Sequence, residues 1–458
     1  MKIEFVNHSS FIVQSGEVSL LCDPWIEGTA FNDGWALISP TRFGYADFER
    51  VTHIWFSHEH PDHFAPPNLR KIPESLRRRI RVLYQGTLDR KVVDHCRKLG
   101  FGDVQELALD RWLALAPDFE VLCGAYPRGD SWLAVRAGGK VLLNLNDCNI
   151  YTPEAARPVR DLVGPVDALA TQFSLSAWEG NPEEVERRRA GARTTLDRCV
   201  FHAQFFGAKQ VIPFASFVWF CHDENFYINA EHNRVDRAFE ELRARSPCQP
   251  CVMYPGDCLT VGESYNSRLA LERHIADFDA LAARPRVQAK RVSEEELLDA
   301  ARKFCAVLAQ QAGRRRLEVG LARAQARRLL RRLSRRVSLG DLGWLARNVL
   351  TLRPRAARIY LWDRGQAYLF DLRRGLRPSS LPQDQCEICC SADSLVYAFR
   401  FLWGGLTLQV NGRFHEVYAD ARASIFDYFH LTDSFNRGER FAQNSAVRRL
   451  ARTLRLAS

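Results

Sequence analysis

From Met1 to about Val261 the apolar residues fall in short runs separated by turn-forming residues, and many of the runs alternate with a period of two. Runs at Lys2–Val6, Phe11–Val13, Val18–Cys22, His53–Ser57, Ile80–Gln85, Leu115–Gly124, Ser131–Val135, Lys140–Leu145, Ala168–Gln172, Gln210–Pro213 and Cys251–Tyr254 predict strands. Helical spacing appears near Asn68–Leu76, Leu88–Lys98, Glu183–Phe206 and Arg234–Ser246. Strands dominate, with helices between and after them. Such an order predicts an α+β protein in which two sheets pack face to face with helices outside, an αββα sandwich.

From about Glu263 to Val337 the pattern becomes long, charged and helical, without strand-like runs. Beyond Leu350 strands return at Ala357–Trp362, Ala367–Leu372 and Leu406–Val410, the last followed by the hairpin dipeptide Asn411-Gly412 and an aromatic helix at Ala423–Phe429. Three parts are expected: a sandwich over residues 1–262, a basic helical connector over 263–339, and a smaller α+β domain over 340–458.

The chain has 458 residues, more than one core usually serves, and its 46% hydrophobic and 26% charged content suits a soluble globular protein. No stretch approaches the roughly 20 apolar residues that span a bilayer. The opening MKIEFVNHSSFIV alternates like a strand and lacks the form of a secretory leader, so a cytoplasmic location without a membrane partner is expected. Thirteen cysteines, an odd number set mostly among apolar residues, read as reduced buried thiols.

The net charge of +10 gathers in Gly313–Arg336, where Leu317, Leu321, Leu330 and Leu333 fall at near-helical spacing. The plain reading is a solvated basic face. An acidic carrier protein, a nucleotide-bearing substrate or a nucleic acid would also suit it, but no aromatic residues are interleaved to stack bases, so nucleic acid is not the expected partner.

The densest chemistry is in Ser57–His63, SHEHPDH, at the end of an apolar run. His58 and His60 can grip one ion while Asp62 and His63 reach a second. Imidazole with carboxylate suits zinc, iron or manganese. Asp147, just past the strand Lys140–Leu145, can bridge two ions. Asp23, after Val18–Cys22, is placed to accept a hydrogen bond from a ligating histidine and hold its tautomer. His8 either lines the pocket or is a lone surface histidine.

A strand-borne DPW, then HxHxDH, then a strand-end aspartate resemble the metallo-β-lactamase superfamily, whose fold is the αββα sandwich with one or two metals at the sheet ends. Within it the chain is most similar to the oxygenase part of CMP-N-acetylneuraminate hydroxylase, through CDPWIEGTAFNDGWALI, WFSHEHPDHFAPPNLRKI, YPRGDSWLAV, VLLNLNDC, IPFASFVWFCHDENFYINAEHN and, more faintly, FLWGGLTLQVNGRFHEV. The resemblance implies Asp130 as a ligand, with Tyr126 standing where many superfamily hydrolases place a histidine, and His222 as the final ligand. The implied metal set is therefore His58, His60, Asp62, His63, Asp130, Asp147 and His222, with Asp62, Asp130 and His222 also in catalytic roles.

The hydroxylase also carries a Rieske domain, whereas no Cys-x-His plus Cys-x-x-His pair occurs in this sequence. Electrons are then expected from an external reductase or ferredoxin. Other superfamily members are diiron hydroxylases of carrier-tethered amino acids, which a basic helix would suit. The expected function is an iron-dependent oxygenase with one or two iron ions, acting on a small-molecule or carrier-linked polar substrate. The alternative is a zinc hydrolase of a phosphodiester, lactone or amide.

Overall fold

The computed structural model describes residues 1–314, 316–322, 325 and 354–438. Most of the arginine-rich stretch Gly313–Arg336, and residues 340–353 of the expected C-terminal domain, lie outside the described residues. The chain divides into two compact units, Met1–Cys221 with Phe226–Arg286, and His222–Asn225 with the chain from Val287 on.

The first unit is built on two seven-stranded sheets. One runs in the order Cys258–Thr260, Lys2–Asn7, Ser10–Ser15, Val18–Cys22, His53–Phe56, Arg81–Gln85, Asp103–Leu107. It is antiparallel through Val18–Cys22 and parallel from there on. The other runs Gln249–Pro250, Gln210–Phe214, Ala168–Gln172, Lys140–Asn146, Ser131–Ala137, Phe119–Ala125, Trp112–Ala116.

Alternation along the strands sends side chains to two different cores. Phe11, Val13, Leu20, Cys22, Trp55 and Leu83 face the second sheet, meeting Val121, Cys123, Leu133, Val135 and Leu142. Their neighbours Ile12, Leu21, Ile54, Phe56, Val82 and Tyr84 point the other way, against Leu69, Val92, Val93 and Cys96 of helices Pro66–Lys71 and Lys91–Lys98. Helices Pro153–Val163 and Val185–Phe206 cover the outer face of the second sheet with Val159, Val163, Leu196, Cys199 and Ala203. This is the αββα sandwich expected from the pattern. None of the thirteen cysteines forms a disulfide, and eleven are buried. Among the described residues no helix is long and apolar enough to cross a membrane.

The second unit has a five-stranded sheet in the order Gly375–Ser379, Gln366–Asp371, Ala357–Leu361, Ile388–Cys390, Phe414–Glu416. Phe304 of helix Glu294–Ala312 packs against Phe370, Phe399 and Phe429. The stretch expected to connect two domains is shared between the units: Arg268–Asp279 buries Ala270 and His274 in the first, and Glu294–Ala312 buries Leu297, Phe304 and Leu308 in the second. Segment His222–Asn225 is pinned inside the second unit, where buried Arg413 bonds Glu224 and Asp393, each at 2.7 Å. Some local expectations fail: no strand forms at Cys251–Tyr254, and a turn divides Leu115–Gly124 between strands Trp112–Ala116 and Phe119–Ala125. Leu406–Val410 lies in helix Gly404–Asn411, and Gly412, at φ 67°, is its left-handed C-cap, its N–H reaching the Leu408 carbonyl. An Asn-Gly pair serves a hairpin or a helix end equally well, and a helix buried this widely shows no polar face to mark its period.

Gly124 pairs across the sheet with Trp132, and a Cβ built on it would meet the indole Cζ2 at 2.0 Å. We expect Gly124→Ala to cost about 1–3 kcal/mol through overpacking. A lower urea midpoint at unchanged slope would show it, and an unchanged midpoint would refute it.

Candidate metal centre

Polar residues of the first unit gather where strands of both sheets end. On one sheet Asp23 follows Val18–Cys22, the loop Ser57–His63 follows His53–Phe56, and Gln85 closes Arg81–Gln85. On the other, Asp130 precedes Ser131–Ala137, Asp147 follows Lys140–Asn146, and Gln172 closes Ala168–Gln172. The two edges are laced together at the Ser57 carbonyl, which accepts from Gln85 Nε2 at 3.1 Å and from the Ser131 hydroxyl.

Asp23 organises the loop. Its Oδ1 accepts the Ser57 N–H at 2.7 Å, and its Oδ2 accepts the Ser57 hydroxyl at 2.7 Å and His63 Nδ1–H at 2.9 Å. The Ser57 oxygen in turn lies 2.9 Å from His58 Nδ1, which donates to it. Both imidazoles are thereby held with Nδ1 engaged and Nε2 facing inward, the orientation a metal requires. Asp23 makes the histidine hydrogen bond expected of it. His8, Asp23 and Asn146 border this site in left-handed backbone conformations, φ 43°, 42° and 33°. For residues with a Cβ this costs on the order of 1 kcal/mol each, which only an over-determined surrounding maintains.

Six of the seven expected ligands come together. Donor atoms lie within 4.8 Å of one another in three groups: His58, His60 and Asp130; His58, His63 and Asp147; and His8, Asp62 and His63. His58 Nε2 is 2.8 Å from His60 Nδ1, 3.9 Å from Asp130 Oδ1 and 4.0 Å from Asp147 Oδ2. His63 Nε2 is 3.4 Å from both Asp62 Oδ2 and Asp147 Oδ2. Yet His63 Nε2 and Asp62 Oδ1 are buried without a hydrogen-bond partner among the described residues. A cation among these atoms would satisfy them, so the residues fit a metal.

Electrostatics separates the members. Burial, with the His63 and His60 imidazoles, holds His58 well below the ordinary histidine range, against the pull of Asp62. Burial also opposes a charge on His63, but the Asp62, Asp147 and Asp23 carboxylates raise it well above that range. Against its own burial, Asp62 is held well below the ordinary carboxylate range by His63 and His8. Burial lifts Asp130 to about 6, with His60 opposing and Asp147 adding to the rise. Asp130 and Asp147, each 17% exposed at the side chain, form the side of the site that water reaches.

His222 is in none of the three groups. It lies in the short segment belonging to the second unit, where its Nδ1 accepts the Glu224 N–H at 3.1 Å. Tyr126 turns aside, its hydroxyl donating to the Asn149 carbonyl. Ser57, Gln172 and Arg198 escaped the sequence reading. Arg198 donates to Gln172 Oε1 at 2.6 Å, which fixes the amide so that its nitrogen meets Asp147 Oδ1 at 3.2 Å. A polar residue closing an apolar strand was the available signal for Ser57 and Gln172. A helix arginine gives none, because most are solvated.

Residues 2–108 match the family described as the Beta-lactamase superfamily domain. Relatives include a protein of Mycolicibacterium smegmatis named for a Rieske 2Fe-2S iron-sulfur centre, 26% identical over 58% of this chain and 55% of its own. Another is cytidine monophosphate-N-acetylneuraminic acid hydroxylase of Danio rerio, 22% identical over 58% of this chain and 47% of its own. The chain thus spans about half the length of these curated relatives. The solved structure of CmlA, a diiron beta-hydroxylase from Streptomyces venezuelae, aligns at 20% identity and TM-score 0.41 over 56% of this chain and 53% of that one, a likeness too distant to bear on function.

Removing the buried Asp23 carboxylate tests the frame. Asp23→Ala should weaken metal binding by about 10–100-fold, as loss of such orienting partners does. Competition with a chromogenic chelator measures it, and wild-type affinity would contradict this account.

Proposed function

We propose that the chain is an iron-dependent oxygenase, a hydroxylase acting on a polar metabolite that is sugar-, nucleotide- or carrier-linked. The observation that carries the reading is the make-up of the donor groups: carboxylates stand among the imidazoles in every one, with Asp130 beside His58 and His60, and Asp62 and Asp147 beside His63. In the proposed centre His58, His60 and Asp130 hold one ion, Asp62 and His63 the other, and Asp147 lies between them. His222 is left outside it.

A hydrolytic zinc site needs the ion's charge free to acidify bound water, and each added carboxylate works against this. The same carboxylates stabilise the higher oxidation states of iron. Bound iron would supply dioxygen activation. The chain's own part is to fix the ligands through Asp23, Ser57 and Gln172, and to keep water from the buried side. The relatives named as a hydroxylase and for a Rieske centre support an oxidative reaction and an external reductase or ferredoxin as electron source.

Protein purified without added zinc should contain iron and consume oxygen when given a reductant. His60→Ala should lose bound iron and lower oxygen uptake at least about tenfold, with the unfolding midpoint retained. Asp130→Ala should do the same, and if it keeps full iron and turnover, Asp130 is no ligand. A colourless zinc protein that cleaves phosphodiesters, lactones or amides would establish the hydrolase instead.

A further inference from the structure

In the centre proposed above, the two ions are unequally served. The first has two imidazoles and a carboxylate of its own, His58, His60 and Asp130. The second has only Asp62 and His63 besides the shared Asp147. The sequence pointed to His222 for the missing imidazole, yet His222 joins no donor group.

We infer that His8 is the missing ligand, binding the second ion through Nε2 together with Asp62 and His63. The inference rests on the two-ion reading of this site. His8 Nε2 lies 3.1 Å from Asp62 Oδ2, the oxygen that is 3.4 Å from His63 Nε2. Such spacings are those of donor atoms sharing one ion. All three residues are buried, and His8 is 2% exposed. Its Nδ1 meets no hydrogen-bond partner among the described residues, so the polar contact of the ring is made at Nε2.

The backbone is committed to this placement. His8 sits just past a register shift between strands Lys2–Asn7 and Ser10–Ser15, in the left-handed region at φ 43°. Its N–H donates to Asn7 Oδ1 at 3.0 Å, while the Asn7 amide is tied to the Ser39 carbonyl at 2.8 Å. The His8 carbonyl accepts the Ala215 N–H at 3.0 Å. Ala215 is itself left-handed at φ 48°, and its carbonyl accepts from Gln172, the residue that also holds Asp147. Thus one hydrogen-bonded frame positions His8 and the shared carboxylate together. On the ring's flanks, Trp25 stands edge-on at 5.8 Å and His63 at 5.9 Å, which keep the imidazole from swinging away.

With His8 in place, each ion is faced by two imidazoles and one carboxylate of its own besides the shared Asp147, a set that contains the two-histidine, one-carboxylate triad non-haem iron(II) favours. The competing role for His8 is donation of an Nε2 proton to Asp62, and one substitution separates the two. Glutamine at position 8 keeps an N–H donor but offers no imidazole.

The full chain, reconstituted anaerobically with ferrous iron and desalted, is assayed for iron per chain, and the titration is repeated with cobalt(II) as a spectroscopic probe. The wild type should hold two ions, whereas His8→Ala and His8→Gln should each hold one, with second-ion affinity lowered about 100-fold and circular dichroism unchanged. Retention of both ions at wild-type affinity by either variant overturns the inference, and retention by His8→Gln alone assigns His8 to the hydrogen bond. A wild type whose single ion survives His8→Ala overturns it as well. A wild type that binds no metal removes the proposed function, and the inference with it.

Discussion

A carboxylate with no access to water, Asp23, is the interaction on which the site depends. Its charge would be costly to bury alone, and three donors share it: the Ser57 amide, the Ser57 hydroxyl and His63 Nδ1–H. Because two of those donors belong to the first residue of the loop and the third to its last, the loop cannot unwind without stranding the charge. Losing such a buried charge-assisted network typically costs a few kcal/mol, which is a large share of a domain's stability. The same bonds set the tautomers of His58 and His63. Ligand geometry and local stability are therefore one arrangement.

The donors so held do not behave alike, although they are neighbours. His58 is driven toward the neutral form by burial among other imidazoles, whereas three carboxylates draw a proton onto His63. A proton on His63 offsets negative charge that an ion would otherwise offset, so metal and proton compete for the same place. Strain is found here as well. His8, Asp23, Asn146 and Ala215 all adopt left-handed backbone without being glycine, and hydrogen bonds to their own or adjacent groups hold them there.

Much of this was legible along the chain. Apolar runs with a period of two, separated by turns, are enough to foretell strands whose opposite faces are both buried, as Leu20, Leu21 and Cys22 illustrate by dividing between two cores. The crowding of three histidines and an aspartate into Ser57–His63 announced a candidate metal site. Asp147 and Asp23 could be read because each carboxylate lies just beyond an apolar strand, the place where the clustered histidines also lie. The helix at Gly404–Asn411 was read as a strand because a segment buried on most sides shows no polar phase.

The sequence alone determined the layers, the strand edges and the residue types gathered at them, because periodicity and local charge are properties of neighbouring positions. Only tertiary structure decided which distant groups meet. It brought Asp130 of one sheet edge to His58 and His60 of the other, drew His8 from a bulged turn onto Asp62, and placed His222 with a different unit. It also enlisted Arg198, which nothing in its own segment marks and which acts on Asp147 through Gln172. Those pairings depend on how two sheets pack and register against each other, a long-range outcome that no local spacing encodes.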